Sequence, residues 1–353
     1  MWNDMSGRKG KNSSIYKKAY QNKTRVDWKL LNKETFLAHL QNREKNTPLH
    51  LAVHRGNKPM IRELLQHPNI IEVENKYGNR ALHIAAMCGK LSVLQMILAK
   101  NANLYAKNKL GCSALYIAAD HQRYENLELL LEYGANVNDK AKKCFNDTAL
   151  HKAVRGENKE IVLALLMYGA DPEMENDYGN SPIFLAFSYP HISLHEMLPS
   201  DQNILKVLIA FCMLWDIQEW KASCFTDSFA SSFKPFTIQC EEEIKRAKLL
   251  ILGNSGLSYY DVLKCNIKEI AFLLRKQWMK VILRSKLNLE IFPIYSEMYD
   301  FKINAGIKCE YLVKESSECL QTLLKDYLLL PDLIAKNIVS YLDIGDLRNL
   351  TCL

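Results

Sequence analysis

The octapeptide NTPLHLAV at Asn46–Val53 recurs four more times along the chain, and this recurrence decides the fold. The later copies read NRALHIAA, CSALYIAA, DTALHKAV and NSPIFLAF, and they begin at Asn79, Cys112, Asp147 and Asn180. Successive copies start 33, 33, 35 and 33 residues apart. A fixed period of this length indicates a repeat architecture, in which each unit buries its apolar face against its neighbours.

Each of the first four copies continues into a segment with apolar residues at helical spacing. These segments read PMIRELLQ, SVLQMILA, NLELLLEY and EIVLALLM. A copy and its segment therefore predict one pair of helices per repeat. Leucine and alanine recur at fixed places in the copies while their neighbours vary. We predict that these positions form the core: Leu82, Ala85, Leu115, Ala118, Leu150 and Ala153.

The pattern resembles the ankyrin repeat, which has a 33-residue period and the signature T-P-L-H-x-A. The resemblance covers residues 46–187 and extends to about Trp215. It implies an all-α solenoid of helix pairs with β-turn fingers, and a role in binding other proteins. The segment KETFLAHLQN, Lys33–Asn42, is predicted to close the N-terminal end of the array, because each repeat leaves an apolar face open.

Turn residues recur with the same period. The position just before each later copy holds glycine or asparagine: Gly78, Gly111, Asn146 and Gly179. These residues tolerate the positive φ of a tight turn. We attribute Lys45, which holds that place in the first copy, to a first repeat without a preceding finger. The turn between repeats holds Pro68, Asn101, Gly134 and Gly169, so the turn at Pro68 should differ.

Histidine recurs at one place in the copies, as His50, His83 and His151, with Tyr116 in the third. Because these residues lie a full repeat apart, they do not form a metal site. The ankyrin resemblance implies that each holds the adjoining turn through hydrogen bonds. The sequence has no GxSxG, HExxH or P-loop motif. We therefore predict no catalytic, cofactor-binding or metal-binding residue and no cofactor.

Composition narrows the class of protein. The residues are 48% hydrophobic and 24% charged, as in an ordinary soluble globular protein. The longest apolar run, VLIAFCMLW, is too short to span a bilayer, and the N-terminus does not resemble a secretory signal. The ten cysteines are at least ten residues apart, which favours reduced thiols over zinc ligands. We expect a cytoplasmic protein, with the nucleus as a second location.

Positive charge is concentrated at the N-terminus. Residues 1–33 carry nine Lys or Arg and two Asp, which accounts for the whole net charge of +7. We interpret residues 1–32 as a basic, solvated arm. A contact with nucleic acid or an acidic membrane is the alternative. The charges are spread out, so neither is predicted as a partner.

The array is predicted to end at residue 217. The fifth repeat is interrupted after its copy, and NILKVLIAFCMLWDI completes it. Residues 218–239, rich in Ser and Phe, are typical of a linker, and a helix is predicted to start at Cys240. Residues 240–353 are similar to the PRANC domain of poxvirus-type ankyrin proteins. The similarity rests on EEEIKRAK, SYYDVL, FPIYSEM and LPDLIAKNIVSYLDIGDLRNL, and it implies a small helical domain.

The last of these segments, residues 330–353, resembles a truncated F-box without its third helix. Pro331 suits a first helical turn, and Ile334, Ile338 and Leu342 share one helix face. The resemblance implies docking to the Skp adaptor of a cullin–RING ubiquitin ligase. The implied docking residues are Leu330, Pro331, Ile334, Ile338, Leu342 and Leu347. Periodicity alone favours the alternative, a helix that caps the C-terminal domain, because most amphipathic helices are core helices.

Two interpretations of function follow. In the first, the array captures a target protein and the tail delivers it to the ligase. In the second, the protein is a non-catalytic scaffold or decoy that binds and blocks a signalling protein. Ankyrin arrays generally bind through finger tips and inner helices, which gives these target-binding candidates: Lys76, Tyr77, Lys109, Leu110, Lys142, Lys143 and Tyr178. Tyr77 and Tyr178 suit anchors, although they could instead cover neighbouring turns.

Overall fold

The computed structural model of the chain describes residues 41–67, 70–188, 201–217, 227–253, 255–283 and 292–324. Within these ranges the chain forms fifteen helices and no strand. It divides into two compact units, Met1–Lys152 and Ala153–Leu353. The predicted basic arm and most of the predicted N-terminal capping helix lie outside the described residues. Among the residues that are described, no helix is both long and apolar enough to cross a membrane.

Helices come in pairs through the first unit, and the division between the units falls inside α7. Their bounds are α1 Pro48–Arg55, α2 Lys58–Leu64, α3 Ala81–Cys88, α4 Leu91–Leu98, α5 Ala114–Asp120, α6 Tyr124–Glu132 and α7 Ala149–Arg155. Within each of the first three pairs the two helices pack together, and α1, α3 and α5 pack in succession. The predicted all-α solenoid is therefore confirmed.

The signature residues determine where these helices begin and end. In the first repeat, Thr47 caps α1 by accepting the backbone N–H of His50 at 3.4 Å. Pro48 follows at the first helical position, where its missing N–H costs no hydrogen bond. Gly56 ends α1 in the left-handed conformation, with φ of 72°. Ser113 caps α5 in the same way as Thr47 caps α1.

The predicted core is confirmed. Six side chains recur at the leucine and alanine places of the copies and are at most 2% exposed: Leu82, Ala85, Leu115, Ala118, Leu150 and Ala153. The predicted positive φ is also present at each turn residue named for it: Gly78, Gly111, Asn146 and Gly179. Of the turns between repeats, Asn101, Gly134 and Gly169 have positive φ, and Pro68 lies outside the described residues.

The expectation that the first repeat lacks a finger at Lys45 was wrong. Lys45 has φ of 56°, and its backbone N–H donates to the carbonyl of Asn42 at 2.9 Å. Gly78 and Asn75 form the same bond in the next repeat. The first repeat therefore has a finger, and a lysine adopts the strained turn that glycine adopts elsewhere.

Longer helices dominate the second unit. Their bounds are α8 Lys159–Met167, α9 Pro182–Ser188, α10 Asp201–Trp215, α11 Asp227–Leu249, α12 Tyr259–Lys264, α13 Ile267–Leu274, α14 Gln277–Leu283 and α15 Ser296–Leu324. The long helix predicted to complete the fifth repeat is present as α10. It packs against α8, α9 and α11.

The predicted start of the first C-terminal helix was wrong. The helix predicted to start at Cys240 begins at Asp227, so it runs through most of the predicted linker. α13 and α14 follow one another within residues 267–283, and α15 begins inside FPIYSEM and continues to Leu324. The placement of a domain boundary within residues 218–239 stays a proposal.

An apolar cluster joins α13 and α15 within the second unit. It consists of Ile267, Ala271, Ala305, Cys309, Leu312 and Val313. Tyr168, which directly follows α8, packs on this cluster with its ring edge-on to Phe301 at 6.2 Å between centroids. Lys159 of α8 pairs with Glu297 of α15 at 2.6 Å. The second helix of the fourth repeat is therefore in contact with the longest C-terminal helix.

Glu243 and Tyr295 fix the chain before α15. The buried Glu243 carboxylate accepts the backbone N–H of Ile294 at 3.0 Å, and the Tyr295 hydroxyl donates to the Ala210 carbonyl at 3.2 Å. Burial raises the pKa of Glu243, although hydrogen bonds from the backbone N–H groups of Ile294 and Tyr295 act in the opposite direction. Because α11 begins sixteen residues before Glu243, this glutamate lies in the interior of the helix and not in its first turn.

Candidate protein-binding surface on the repeat fingers

The finger turns are organised by asparagine. We call residues 42–46, 75–79, 108–112, 141–147 and 176–180 fingers 1 to 5. In finger 2, the Asn75 carboxamide oxygen accepts the backbone N–H of Tyr77 at 2.9 Å and of Asn79 at 3.0 Å. Asn108 and Asn176 make the same two bonds in fingers 3 and 5. These two backbone N–H groups of each turn are thus satisfied within the finger itself.

Backbone hydrogen bonds join the tips of fingers 1 to 4. The N–H of Lys76 donates to the Glu44 carbonyl at 2.9 Å, and the N–H of Lys109 donates to the Tyr77 carbonyl at 3.1 Å. The N–H of Lys143 donates to the Leu110 carbonyl at 3.0 Å. The four tips therefore form one continuous surface on the first unit.

Two tip glycines permit this close approach. A Cβ on Gly78 would lie 2.7 Å from the backbone nitrogen of Lys109, and one on Gly111 would lie 2.8 Å from that of Lys142. Neither distance is possible for a real side chain. Glycine is therefore needed at these two positions for space as well as for positive φ.

All seven target-binding candidates are exposed: Lys76, Tyr77, Lys109, Leu110, Lys142, Lys143 and Tyr178. Tyr77 is 48% exposed and Leu110 is 51% exposed, so two large apolar side chains stand on adjoining fingers of one surface. The lysines lie beside them on fingers 2, 3 and 4. Tyr178, 62% exposed, lies on finger 5 in the second unit.

Two of the lysines also support the fingers. The Lys109 ammonium donates to the Lys76 carbonyl at 2.8 Å, and the Lys76 ammonium lies 3.6 Å from a Glu44 carboxylate oxygen. Substitution of either would disturb the scaffold as well as the surface. Lys142 and Lys143 are exposed at the lengthened finger 4, so their side chains are better probes of binding.

Two exposed aromatic residues were not predicted from the sequence. Phe145 is 54% exposed in the lengthened part of finger 4 and has φ of 59°. Tyr105 is 64% exposed shortly before finger 3. The two-residue lengthening of the third step, which lies in finger 4, could have singled out Phe145, because a phenylalanine in a longer turn has no helix face to cover. Tyr105 carries no such signal.

The recurring histidines have the structural role predicted. His50 Nδ1 accepts the N–H of Thr47 at 3.2 Å, which places the ring proton on Nε2 for donation to the Asn79 carbonyl at 2.9 Å. His83 repeats this arrangement with Arg80 and Ala106. Burial lowers the pKa of His50 and that of His83 to about 4. The described residues contain no group of His, Cys, Asp and Glu suited to a metal ion.

A buried lysine in the second unit also has a structural role. The ammonium of Lys302 donates to the carbonyls of Leu263 and Cys265, the latter at 2.7 Å. These carbonyls lie at the C-terminal end of α12, where cations are favoured. Burial lowers the pKa of Lys302 to about 8. This lysine therefore anchors α15 to the end of a helix.

The predicted adaptor-docking residues are not part of this geometry. Leu330, Pro331, Ile334, Ile338, Leu342 and Leu347 all lie outside the described residues. Their role stays a prediction from the sequence.

Comparison with protein families agrees with the repeats. A model described as ankyrin repeats (3 copies) matches residues 18–108, and one described as ankyrin repeats (many copies) matches residues 116–166. The first match begins within the segment predicted as a basic arm, residues 1–32. No curated protein matches the chain.

Proposed function

We propose, on the premise that the chain carries ankyrin repeats, that it is an adaptor between two proteins. The array binds a target protein through fingers 2 to 4, and residues 330–353 recruit the Skp adaptor of a cullin–RING ubiquitin ligase. Ankyrin repeats are generally non-enzymatic binding modules. In this proposal the protein itself catalyses nothing, and ubiquitin is transferred elsewhere in the complex.

The observation that carries the binding role is the joined surface of finger tips. Exposed Tyr77 and Leu110 stand on adjoining tips, next to the exposed lysines of fingers 2 to 4. Large apolar side chains on a rigid backbone lose little entropy on binding and suit anchors. The surrounding lysines favour a partner segment that carries acidic residues beside its apolar ones.

The proposed recruitment of a ubiquitin ligase is supported by the amino-acid sequence of the tail alone. The apolar stripe of Ile334, Ile338 and Leu342 and the preceding Pro331 fit an F-box-like docking helix. If this stripe docks, its burial contributes about 25 cal/mol per Å² before association costs are subtracted.

A specific observation favours the alternative, a scaffold or decoy without ligase recruitment. In the second unit, α11 packs against α10, the helix that completes the fifth repeat. α15 packs against α8 through the Lys159–Glu297 ion pair, and its Phe301 lies edge-on to Tyr168. Solenoids need their last apolar face covered. Helices that cover this face stabilise the array, so docking of an adaptor is not needed to explain them.

The target-binding half is tested at finger 4. Lys142→Glu with Lys143→Glu should weaken capture of the target from a cell lysate at unchanged melting temperature. A control with equal charge change, Lys58→Glu with Lys100→Glu, alters exposed lysines outside the fingers and should leave capture intact. Equal loss in both variants would mean that overall charge governs binding. A fall in melting temperature for the finger variant alone would make these lysines structural.

The ligase half is tested at the tail. Ile334→Lys with Ile338→Lys should abolish pull-down by purified Skp while the protein still melts cooperatively and still captures its target. Recovery of Skp and cullin from cells with the full chain, and not with a chain lacking residues 330–353, is the matching result. Loss of the cooperative melt in the double variant indicates a capping helix instead. If the unaltered protein does not bind Skp, the scaffold alternative replaces the adaptor.

A further inference from the structure

Side chains as well as backbone join neighbouring fingers. The Asn75 amide donates to the Asn46 carboxamide oxygen at 2.9 Å, which links finger 2 to finger 1. One repeat later, the Asn108 amide donates to the Asn79 carboxamide oxygen at 2.8 Å and links finger 3 to finger 2. Each link uses the first residue of a copy and the asparagine that opens the next finger.

The link between fingers 3 and 4 has a different chemistry. Cys112 stands where Asn46 and Asn79 stand in the earlier repeats, and Ala141 opens finger 4 in place of asparagine. Cys144, within the same lengthened finger, fills the gap. Its sulfur lies 3.5 Å from that of Cys112, against Tyr116 and Ala141. A thiol pair thus takes the place of the amide pair.

We propose that Cys112 and Cys144 are a redox-responsive pair, which mild oxidation by a small-molecule disulfide converts into a covalent link between fingers 3 and 4. An S–S bond is about 2.05 Å long, so the two sulfurs must approach by about 1.5 Å. Finger 4 is two residues longer than each of the other fingers, and this extra length gives Cys144 room to move.

The order of the chemical steps follows from exposure. Cys144 is half-buried and Cys112 is buried, and burial raises the pKa of the Cys112 thiol to about 12. Oxidised glutathione therefore reaches Cys144 first, and the Cys144 sulfur attacks it to form a mixed disulfide, releasing one glutathione that carries away the thiol proton. Cys112 then loses its proton and attacks the Cys144 sulfur, releasing the second. In sum, two cysteine thiols and one oxidised glutathione yield one protein disulfide and two reduced glutathiones.

Formation of the bond should alter the tip of finger 4. The neighbouring Lys143 donates its backbone N–H to Leu110 of finger 3, and this bond can open only when the two fingers separate. A covalent link restricts that separation, so exchange of the Lys143 amide should slow on oxidation. The link also closes a long loop of the unfolded chain, which should raise the melting temperature of the first unit.

The test uses the full chain at low concentration in glutathione buffers of increasing oxidation. Free thiols are blocked with N-ethylmaleimide, and non-reducing peptide mapping by mass spectrometry follows the products. We expect the Cys112–Cys144 cross-link at a ratio of oxidised to reduced glutathione at least about tenfold lower than the ratio that glutathionylates half-buried Cys88, because ring closure is intramolecular. Cys88 serves as the internal reference in the same sample.

Two variants separate the cross-link from general thiol oxidation. Cys112→Asn restores the residue type of the earlier copies, and in it Cys144 should stop at the mixed disulfide. Cys265→Ser, which removes a half-buried thiol of the second unit, should leave the cross-link unchanged. The proposal is overturned if the pair stays reduced where Cys88 is modified, or if Cys144 accumulates as the mixed disulfide in the unaltered chain. Neither outcome bears on target binding by the fingers, which is tested separately.

Discussion

The fingers of the first unit and the helix contacts of the second unit are stabilised in different ways. In the fingers, one set of polar contacts is repeated with each repeat: an asparagine closes the turn, and a backbone N–H reaches the preceding tip. Among the C-terminal helices of the second unit, the buried polar contacts of Glu243, Tyr295 and Lys302 are each of a different kind. Repetition spreads stability over many equivalent contacts, whereas single buried contacts concentrate it.

The largest effect is expected in the core of the first unit. Leu115 lies in α5 and is 1% exposed, so Leu115→Ala should lower the free energy of unfolding by about 2–5 kcal/mol. Leu110→Ala, at an exposed finger tip, should change it by less than about 0.5 kcal/mol. Urea denaturation followed by circular dichroism measures both. A loss below half a kcal/mol for Leu115→Ala would contradict the assigned repeat register.

Glycine substitutions separate the two requirements of a finger turn. In Gly111→Ala the added Cβ is unfavourable for two reasons: the positive φ and the close approach of the Lys142 backbone. Gly179→Ala has a similar φ, but no heavy atom lies within 4 Å of its added Cβ. The second variant should lose roughly 1–2 kcal/mol from φ alone. The first should lose about 1–3 kcal/mol more, because the clash is with backbone. Thermal melts compare them, and equal losses would show that the finger contact adds nothing.

Acid should weaken the first unit through its buried histidines. The unfolded-state pKa of His50 and His83 is near 6.5 and the folded-state value is about 4. Between these values the unfolded chain binds more protons, so stability falls as pH drops from 6.5 to 4. The loss is up to about 3 kcal/mol per histidine, at 1.36 kcal/mol per pKa unit.

Urea midpoints at pH 7, 5.5 and 4 check this prediction. His83→Tyr, which copies Tyr116 of the third repeat, should flatten the pH dependence. His121 is exposed, so His121→Gln is the matched control and should leave the pH dependence of stability unchanged. An equal pH dependence in all three proteins would assign the acid effect to other groups.

The contrast between repeated finger contacts and single helix contacts also explains how well the sequence predicts each region. The positions of Leu115, Gly111 and His83 recur every repeat, so a period and a signature are enough to predict core, turn and hydrogen-bonding residues. The strained turn at Lys45 could not be predicted in this way, because its backbone is imposed by the finger and not by residue preference.

The C-terminal helices from α11 onward offer no period to follow. The start of α11 was predicted thirteen residues too late, because Glu241 to Glu243 fit a first helical turn as well as they fit an interior. In the structure Glu243 is buried and accepts the backbone N–H of Ile294. A contact between residues 51 positions apart leaves no mark in local sequence. The exposed tips were predictable from the finger pattern, whereas the thiol pair depends on the geometry of the lengthened finger.

Glu243 provides the finest test of a single buried contact. Glu243→Leu leaves the Ile294 N–H without its acceptor, which should cost about 1–3 kcal/mol. Glu243→Gln keeps an acceptor oxygen and removes the buried charge. Because burial raises the folded-state pKa above 4.5, the folded protein retains a proton that the unfolded chain loses as pH rises through that window. Stability from Glu243 therefore falls as pH rises, and the full penalty is present at neutral pH.

The glutamine variant has no carboxylate to desolvate, so its stability relative to the unaltered protein should rise between pH 4 and pH 7. The leucine variant should be the less stable of the two at pH 7, since it alone leaves the Ile294 N–H without its acceptor. Urea denaturation of the three proteins at both pH values measures these differences. A glutamine variant as unstable as the leucine variant at pH 7 would mean that the carboxylate charge itself holds Ile294. The second unit would then rely on a buried ion where the fingers of the first unit rely on neutral amides.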